Sequence, residues 1–189
     1  MKSTMTFWRL ATVVIAWALL DVSISAQTRT EASKPFEDIA AVLASPRCAN
    51  CHISGDAPLQ GEDGHPHAMR VRRGLDGRGT PAMRCSNCHQ EASSLTPHAP
   101  PGAPDWRLPS AAAPMAWKGL TAGDQCRMLT DRTRNGNRTL VDLLDHVSHD
   151  RLVVASWTPG PGRRLPPLSH EAFVEQFKTW IERGAVCPE

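Results

Sequence analysis

Two copies of the pattern C-x-x-C-H constrain what this chain can fold into more than any other feature. The first is Cys48-Ala49-Asn50-Cys51-His52 and the second is Cys85-Ser86-Asn87-Cys88-His89. In this pattern two thiols add across the vinyl groups of a porphyrin, and the histidine that follows them reaches one axial face of the iron. We therefore predict two covalently bound haem c groups. The predicted attachment residues are Cys48, Cys51, Cys85 and Cys88, and the predicted proximal iron ligands are His52 and His89.

Two other chemistries also use C-x-x-C pairs. Four thiolates can close a zinc ribbon, but a ribbon needs no histidine directly after each pair, and the gap between these pairs is longer than the usual ribbon spacing. A thioredoxin-like redox pair belongs to a βαβ pattern, which surrounds neither motif. Haem attachment is the interpretation that accounts for both histidines.

Residues 1–26 have the pattern of a secretory signal peptide. Lys2 and Arg9 make the charged start, an apolar run follows, and Ala26 offers a small residue for cleavage before Gln27. The run is short for a membrane span. The alternative is an uncleaved N-terminal anchor, which is the only case in which we expect a membrane attachment. Either way we expect the rest of the chain to be exported to the periplasm, where c-type haem is attached.

Beyond residue 26 the chain is nearly electroneutral and rich in loop-forming residues. It carries 19 basic and 18 acidic side chains once the three charged residues of the leader are set aside, which favours neither a nucleic-acid nor a membrane-surface partner. All 16 prolines lie at or after Pro35. We expect one domain, 27–189, that is mostly α-helical with long irregular loops and little or no sheet. Its haem-binding part covers about 36–120 and its helical C-terminal part about 121–187.

Hydrophobic spacing predicts a small number of helices separated by long loops. The predicted helices cover residues 35–44, 121–133, 139–148 and 169–184. The segments 53–84 and 90–120 show no sustained period and are rich in Gly and Pro, which predicts loops that cross or wrap haem surface.

A six-coordinate haem iron needs a second axial ligand. His67 is our first candidate, because a ligand in the loop before the second motif can fold back over a haem, and His65 is its close alternative; solvated loop histidines are the other interpretation. His146 is the second candidate, because it lies nearer the apolar face of its predicted helix than His149 does. The alternative for His146 is a border residue hydrogen-bonded to backbone or to a haem propionate.

Two further side chains are alternatives for the distal position. Met115 lies in a Pro-containing loop, where its thioether can serve as an axial ligand that raises the potential of a haem, or simply fill a gap in the core. His98 lies in the same Pro-rich segment.

Five arginines between the motifs can pair with haem propionates, because guanidinium suits bidentate pairing with a carboxylate, although such a run is more often a solvated face. They are Arg70, Arg72, Arg73, Arg78 and Arg84. The two cysteines outside the motifs, Cys126 and Cys187, can form a disulfide in an oxidising compartment; the alternative is two separate buried thiols.

Several short segments together resemble one family. They are His65-Pro66-His67, Arg73-Gly74-x-Asp76-Gly77, both haem motifs, Gly102-Ala103-Pro104-x-Trp106, Met115-x-Trp117, Arg134-Asn135-Gly136, His146 through Val153, Trp157-x-Pro159-Gly160 and Gly184-Ala185-x-Cys187-Pro188. On these segments the chain resembles the small exported dihaem cytochrome c-like proteins, some of which are labelled isoquinoline 1-oxidoreductase subunits. This resemblance implies a redox partner, a molybdenum hydroxylase that oxidises N-heteroaromatic or aldehyde substrates and passes electrons to the cytochrome. A second likeness, through the His-containing loop, is to the small dihaem subunit of periplasmic nitrate reductase.

The function that we expect is outer-sphere electron transfer between a redox enzyme and the respiratory chain, with the haems as neighbours. The alternative is a small haem enzyme with one open axial site, a peroxidase or an oxyanion reductase, but the chain offers no obvious distal acid–base constellation. A haem-bearing sensory or docking module is a third possibility, and no signalling segment is visible.

Overall fold

The computed structural model describes residues 27–189, so the predicted signal segment 1–26 lies outside the described residues. Helices make up 40% and strands 5% of this part, which confirms the prediction of a mostly helical fold with little sheet. Within residues 27–189, no helix has both the length and the apolar character that a membrane crossing requires.

The first helix, α1, covers residues 27–43 and is longer than predicted. We expected it to begin at Pro35, because proline suits a first turn. Pro35 instead lies inside the helix, where its missing N–H leaves the carbonyl of Glu31 without an intrahelical donor. The Arg183 guanidinium fills this role, since its Nη1 donates to Glu31 O at 2.9 Å.

The second half of the chain forms the other long helices. They are α3 (Ala122–Thr130), α4 (Leu140–His149), the short α5 (Arg151–Val154) and α6 (His170–Glu182), after a single-turn α2 (Pro46–Ala49) in the first half. Side-chain oxygens of Thr121, Thr139 and Ser169 accept the backbone N–H three residues on, which caps α3, α4 and α6 at their predicted starts. The end predicted for α3 is three residues too late, because the Asp131 carboxylate accepts the N–H of Thr133 at 2.9 Å and turns the chain.

The segment between α2 and α3 has little regular structure. Its strands are two antiparallel pairs of two residues each: β1 (Leu59–Gln60) with β2 (His65–Pro66), and β3 (Gly79–Thr80) with β4 (Met83–Arg84). Single 3₁₀ turns at Ala68–Arg70 and Cys85–Asn87 follow β2 and β4, and a third, Ala155–Trp157, extends α5. The loops predicted for 53–84 and 90–120 are therefore present, with short ribbons inside the first.

The hydrophobic core joins α1 to the helices of the second half. Phe36 of α1 packs on Trp180 of α6 with ring centroids 4.9 Å apart, and Phe177 meets Trp180 edge to face at 5.4 Å. All three rings are fully buried, and burial of each contributes about 1.5–3 kcal/mol. The core therefore contains helices from both sides of residue 120, the boundary at which we expected the haem-binding part to end.

A disulfide between Cys126 and Cys187 ties α3 to the chain end beyond α6, and the bond expected from the sequence is thus present in the structure. Trp180 Nε1 donates to Val186 O at 3.1 Å, which holds the same terminal segment over the core.

The two irregular loop segments pack against each other rather than standing apart. The N–H of Leu108 donates to the carbonyl of Gly77 at 2.8 Å. Gly77 has a φ of +77°, and a Cβ there would lie 2.5 Å from the Leu108 carbonyl oxygen, so only glycine allows this approach. This contact brings the Pro-rich segment over the loop between the motifs.

Candidate functional site

The first motif follows α1 directly and is shaped by a tight turn. The N–H groups of Cys51 and His52 both donate to the Cys48 carbonyl at 3.1 Å, so the motif forms one helical turn. Burial is the main cause that raises the pKa of the Cys48 thiol to about 11 and that of Cys51 to about 12. Both sulfurs are therefore neutral thiols at physiological pH.

His52 is held on two sides by the segment that precedes α3. Its Nδ1–H donates to the Met115 carbonyl at 3.1 Å, and its ring stacks on Trp117 with centroids 4.0 Å apart. Burial, together with the nearby charge of His146, lowers the pKa of His52 to about 3, so the imidazole is neutral. A metal bond to imidazole lies in the ring plane, so stacking on the ring face leaves Nε2 available.

The second motif repeats this arrangement. The N–H groups of Cys88 and His89 donate to the Cys85 carbonyl at 3.1 and 2.9 Å. The Nδ1–H of His89 donates to Pro101 O at 2.7 Å, and the ring stacks on Trp106 at 3.9 Å with planes only 10° apart. Burial lowers the pKa of His89. Both motif histidines thus bond a backbone carbonyl through Nδ1 and stack on a tryptophan, and within residues 27–189 no protein group bonds their Nε2 atoms.

His67 lies opposite His89. The ring centroids are 6.2 Å apart and the planes meet at 62°. The Nδ1–H of His67 donates to the Ala68 carbonyl at 2.8 Å, which leaves Nε2 as its acceptor nitrogen. Two imidazoles on opposite sides of one metal, each about 2 Å from it, have centroids about 6 Å apart. This pair therefore has the spacing of two axial ligands of one iron.

His65 is bonded differently from His67. Its Nδ1 contacts the Asp63 carboxylate at 2.6 Å, and its Nε2 accepts from the Gln60 amide at 3.1 Å. Because both ring nitrogens are occupied and the side chain is half exposed, His65 offers no nitrogen to a metal in this conformation. The close alternative to His67 is therefore disfavoured.

The charge of His146 is the next largest cause, after burial, of the lowered pKa of His52, which indicates that the two side chains lie within electrostatic range of each other. The His146 side chain is 27% exposed, against 75% for His149, as the position on the apolar border of α4 predicted. Nδ1 of His146 lies 3.3 Å from Asp150 Oδ2, and Asp150 also accepts from Arg107 Nη2 at 2.8 Å. Its Nε2 forms no hydrogen bond to any residue of the described part of the chain.

The remaining distal alternatives have other surroundings. Met115 meets His52 through its backbone carbonyl, and its side chain packs against the core. His98 is exposed and covers the turn at Gly162, where a Cβ would come within 2.8 Å of the imidazole. Neither residue is placed by these contacts as a partner of a motif histidine.

No known protein family, curated protein or solved structure matches this chain. The function proposed for this chain therefore rests on its own residues.

The two motifs lie side by side. The Cys85 thiol is close enough to contribute, after burial and Cys48, to the raised pKa of Cys51. Across residues 27–189, no group of three or more His, Cys, Asp or Glu side chains is arranged to hold a metal ion. A zinc ribbon needs four thiolates in one cluster, whereas a porphyrin iron takes only two protein ligands.

Two buried donors near the first motif have no anionic partner. Arg73 is 3% exposed, and its guanidinium donates only to backbone carbonyls, of Gly55 at 2.9 Å and of Pro109. The Nε1–H of Trp117, beside His52, has no partner among the described residues. A buried cation favours an anionic partner and a buried N–H favours an acceptor, and haem propionates supply both. The residues present thus fit a haem in their donors and in their charge.

The other four arginines between the motifs fit the interpretation of a solvated face rather than that of propionate partners. Arg78 pairs with Asp105, and Arg84 pairs with Asp76 at 2.7 Å, all on the surface, whereas Arg70 and Arg72 are exposed. These four belong to a solvated face. Arg73 alone of the five predicted arginines is buried beside a motif.

Sequence reasoning missed the groups that orient the motif histidines. The acceptor carbonyls of Met115 and Pro101 carry no side-chain signal. The stacking of Trp117 on His52 and of Trp106 on His89 has no local sequence signal either. Asp150 had a visible signal, because it follows His146 by four residues, but Asp145 and His149 have the same spacing.

Proposed function

We propose that this chain is an exported dihaem c-type cytochrome that carries electrons between a redox enzyme and the respiratory chain. The observation that supports this most is the arrangement of His67 and His89, whose ring centroids lie 6.2 Å apart. Each ring bonds a backbone carbonyl through Nδ1, so the Nε2 atom of each is left for an iron. This is what a six-coordinate haem requires of its protein.

We pair the ligands by the proximity of their side chains. His67 and His89 are one pair, because their rings are 6.2 Å apart. His52 and His146 are the other, because the charge of His146 acts on His52. The first haem is attached at Cys48 and Cys51, and the second at Cys85 and Cys88. When bound, each haem supplies a one-electron ferric/ferrous couple.

The chain's own residues orient the ligands and keep water away from them. The carbonyls of Met115 and Pro101 fix which nitrogen of His52 and His89 carries the proton. Trp117, which is 5% exposed, shields His52. Two histidine ligands leave no coordination position for a substrate, which supports a carrier rather than a peroxidase or an oxyanion reductase.

The closeness of the motifs supports electron exchange within the chain. Cys51 and Cys85 belong to different motifs and lie within electrostatic range of each other. Neighbouring haems pass electrons directly, so the protein can take an electron at one face and release it at another.

The donor is a molybdenum hydroxylase if the resemblance to small exported dihaem proteins extends to function. The signal-peptide pattern of residues 1–26 supports export to the periplasm, where donor and acceptor would meet.

The experiment that tests this function is a count of covalent haem in paired cysteine variants, produced by export in a bacterium that matures c-type cytochromes. We expect two haems in the unaltered chain and one in each of the variants Cys48→Ser/Cys51→Ser and Cys85→Ser/Cys88→Ser. Thiol variants of a zinc site would instead lose zinc and carry no haem at any stage.

Carbon monoxide and cyanide then separate carrier from enzyme. Two histidines on each iron predict no shift of the Soret band when carbon monoxide is added to the reduced protein or cyanide to the oxidised protein. A shift at one haem would indicate an open or displaceable position and favour the enzymatic alternative.

A further inference from the structure

One of the four candidate ligands differs from the others in what its Nδ1 atom contacts. For three of them this atom donates to a neutral backbone carbonyl; they are His52, His67 and His89. For His146 the group is a carboxylate, with Nδ1 3.3 Å from Asp150 Oδ2. An ionised carboxylate facing a ligand imidazole raises the basicity of that ligand, which a neutral carbonyl does less.

Asp150 is held in place independently of His146. Its Oδ1 accepts the N–H of Leu152 at 2.9 Å and caps α5, while its Oδ2 accepts from Arg107 Nη2 at 2.8 Å. The side chain is only 17% exposed, so solvent screens its charge weakly. Three groups thus surround this carboxylate, the Leu152 N–H, the Arg107 guanidinium and the His146 imidazole, and they hold its negative charge beside Nδ1 of His146.

Helix α4 contains a second histidine–aspartate pair, which is exposed to solvent rather than buried. His149 and Asp145 have the same four-residue spacing and a contact of 2.8 Å, but both side chains are about three-quarters exposed. Water screens a charge pair that is so exposed, so its electrostatic effect on other groups is small.

We propose that Asp150 is a positioning residue that lowers the reduction potential of the haem held by His52 and His146. This rests on the proposed function. The physical reason is that ferric iron carries one more positive charge than ferrous iron, so a more basic ligand backed by a buried anion stabilises the ferric form.

Arg107 opposes Asp150 and links the two centres. Its Nη1 contacts Asp105 at 2.7 Å while its Nη2 contacts Asp150, so it offsets part of the charge that Asp150 presents to His146. The residue before it, Trp106, stacks on His89. Removing the Arg107 charge therefore acts on the potential in the opposite direction to removing the Asp150 charge.

The test is an optical redox titration of the purified dihaem protein and of three variants. Asp150→Asn should raise one of the two potentials by about 59 mV, which is a tenfold change in the ferric/ferrous equilibrium for one electron. Arg107→Gln should lower that same potential. Asp145→Asn, the matched control, should leave both potentials unchanged.

The variants separate an effect on potential from an effect on folding. Asparagine is as good a helix N-cap as aspartate, so Asp150→Asn keeps the start of α5. Arg107→Gln leaves that cap untouched and supplies an independent readout. A merely structural role for Asp150 would not shift one potential in opposite directions in the two variants.

The outcomes distinguish this inference from the function on which it rests. Two covalent low-spin haems with both potentials unchanged in Asp150→Asn would overturn the inference and leave the carrier intact. An equal shift in Asp145→Asn would also overturn it. Absence of covalent haem from the unaltered chain would overturn the proposed function itself.

Discussion

The imidazoles of His67 and His89 face each other with centroids 6.2 Å apart, although one belongs to an irregular loop and the other ends the second motif. Each donates its Nδ1–H to a backbone carbonyl, of Ala68 and Pro101 respectively. No other described residue bonds their Nε2 atoms, and we propose this pair as the axial ligands of one iron.

Replacing His67 by alanine should turn one haem from low-spin to high-spin while two covalent haems remain, because one axial ligand is lost but both thioether pairs persist. The absorption and electron paramagnetic resonance spectra of the oxidised protein measure this. His65→Ala is the matched control and should stay fully low-spin, because both nitrogens of His65 are bonded to Asp63 and Gln60. An unchanged spectrum in His67→Ala would remove that residue from the ligand set.

Replacing His146 by alanine should make the other haem high-spin for the same reason. Here His149→Ala is the control, since it removes an exposed imidazole from the same helix. If His146→Ala gave the same spectrum as its control His149→Ala, the pairing of His146 with His52 would be wrong. Combining His67→Ala with His146→Ala should make both haems high-spin, because each variant affects a different iron.

Much of this arrangement was visible in the sequence, and the reason differs from part to part. The N-cap residues Thr121, Thr139 and Ser169 predict where α3, α4 and α6 begin, because side-chain capping is a local interaction. The early start of α1 was not predictable, because the carbonyl that Pro35 leaves unpaired is satisfied by Arg183 from the other end of the chain.

The candidate site shows the same division. The C-x-x-C-H pattern itself predicts the four attachment thiols and both proximal histidines. The choice of His67 over His65 depends on the partners of each ring nitrogen, and one of them, Gln60, becomes a neighbour of His65 only when β1 and β2 pair. The stacking of Trp106 and Trp117 on the motif histidines likewise depends on how the Pro-rich segment wraps, which no local pattern encodes.

Replacing Cys126 by serine should leave one titratable thiol, that of Cys187, when the haem-loaded protein is unfolded without reductant. The variant should also be less stable to chemical denaturant by about 2–4 kcal/mol, because the disulfide no longer restricts the unfolded chain. The unaltered protein, treated in the same way, should show no free thiol. Two free thiols there would contradict the bond between Cys126 and Cys187.

Asp76 should titrate with a pKa of about 2, below its ordinary value of 3.8, because the Arg84 guanidinium donates to the carboxylate at 2.7 Å and the Arg78 N–H adds a second bond. The depressed pKa means that the pair stabilises the fold above pH 4, and that this contribution is lost as the pH falls toward 2. A nuclear magnetic resonance titration of the Asp76 carboxyl carbon measures it.

In the variant Arg84→Gln the pKa of Asp76 should rise toward 3.8, since its main stabilising partner is gone. Arg72→Gln, which changes an exposed arginine of the same loop, should leave it where it was. A pKa of Asp76 that does not respond to Arg84 would show that the ion pair next to Cys85 does not persist in solution.

The most direct measurement is the visible and near-infrared spectrum of the purified oxidised and reduced protein, with a pyridine haemochrome count. We predict two covalent haems per chain, both low-spin, without the charge-transfer band of a thioether ligand, because we expect histidines at all four axial positions. Absence of covalent haem would contradict the proposal that this chain is a c-type cytochrome. A high-spin haem in the unaltered protein would contradict the pairing of His67 with His89 or of His146 with His52, and would move the search to catalysis at an open iron.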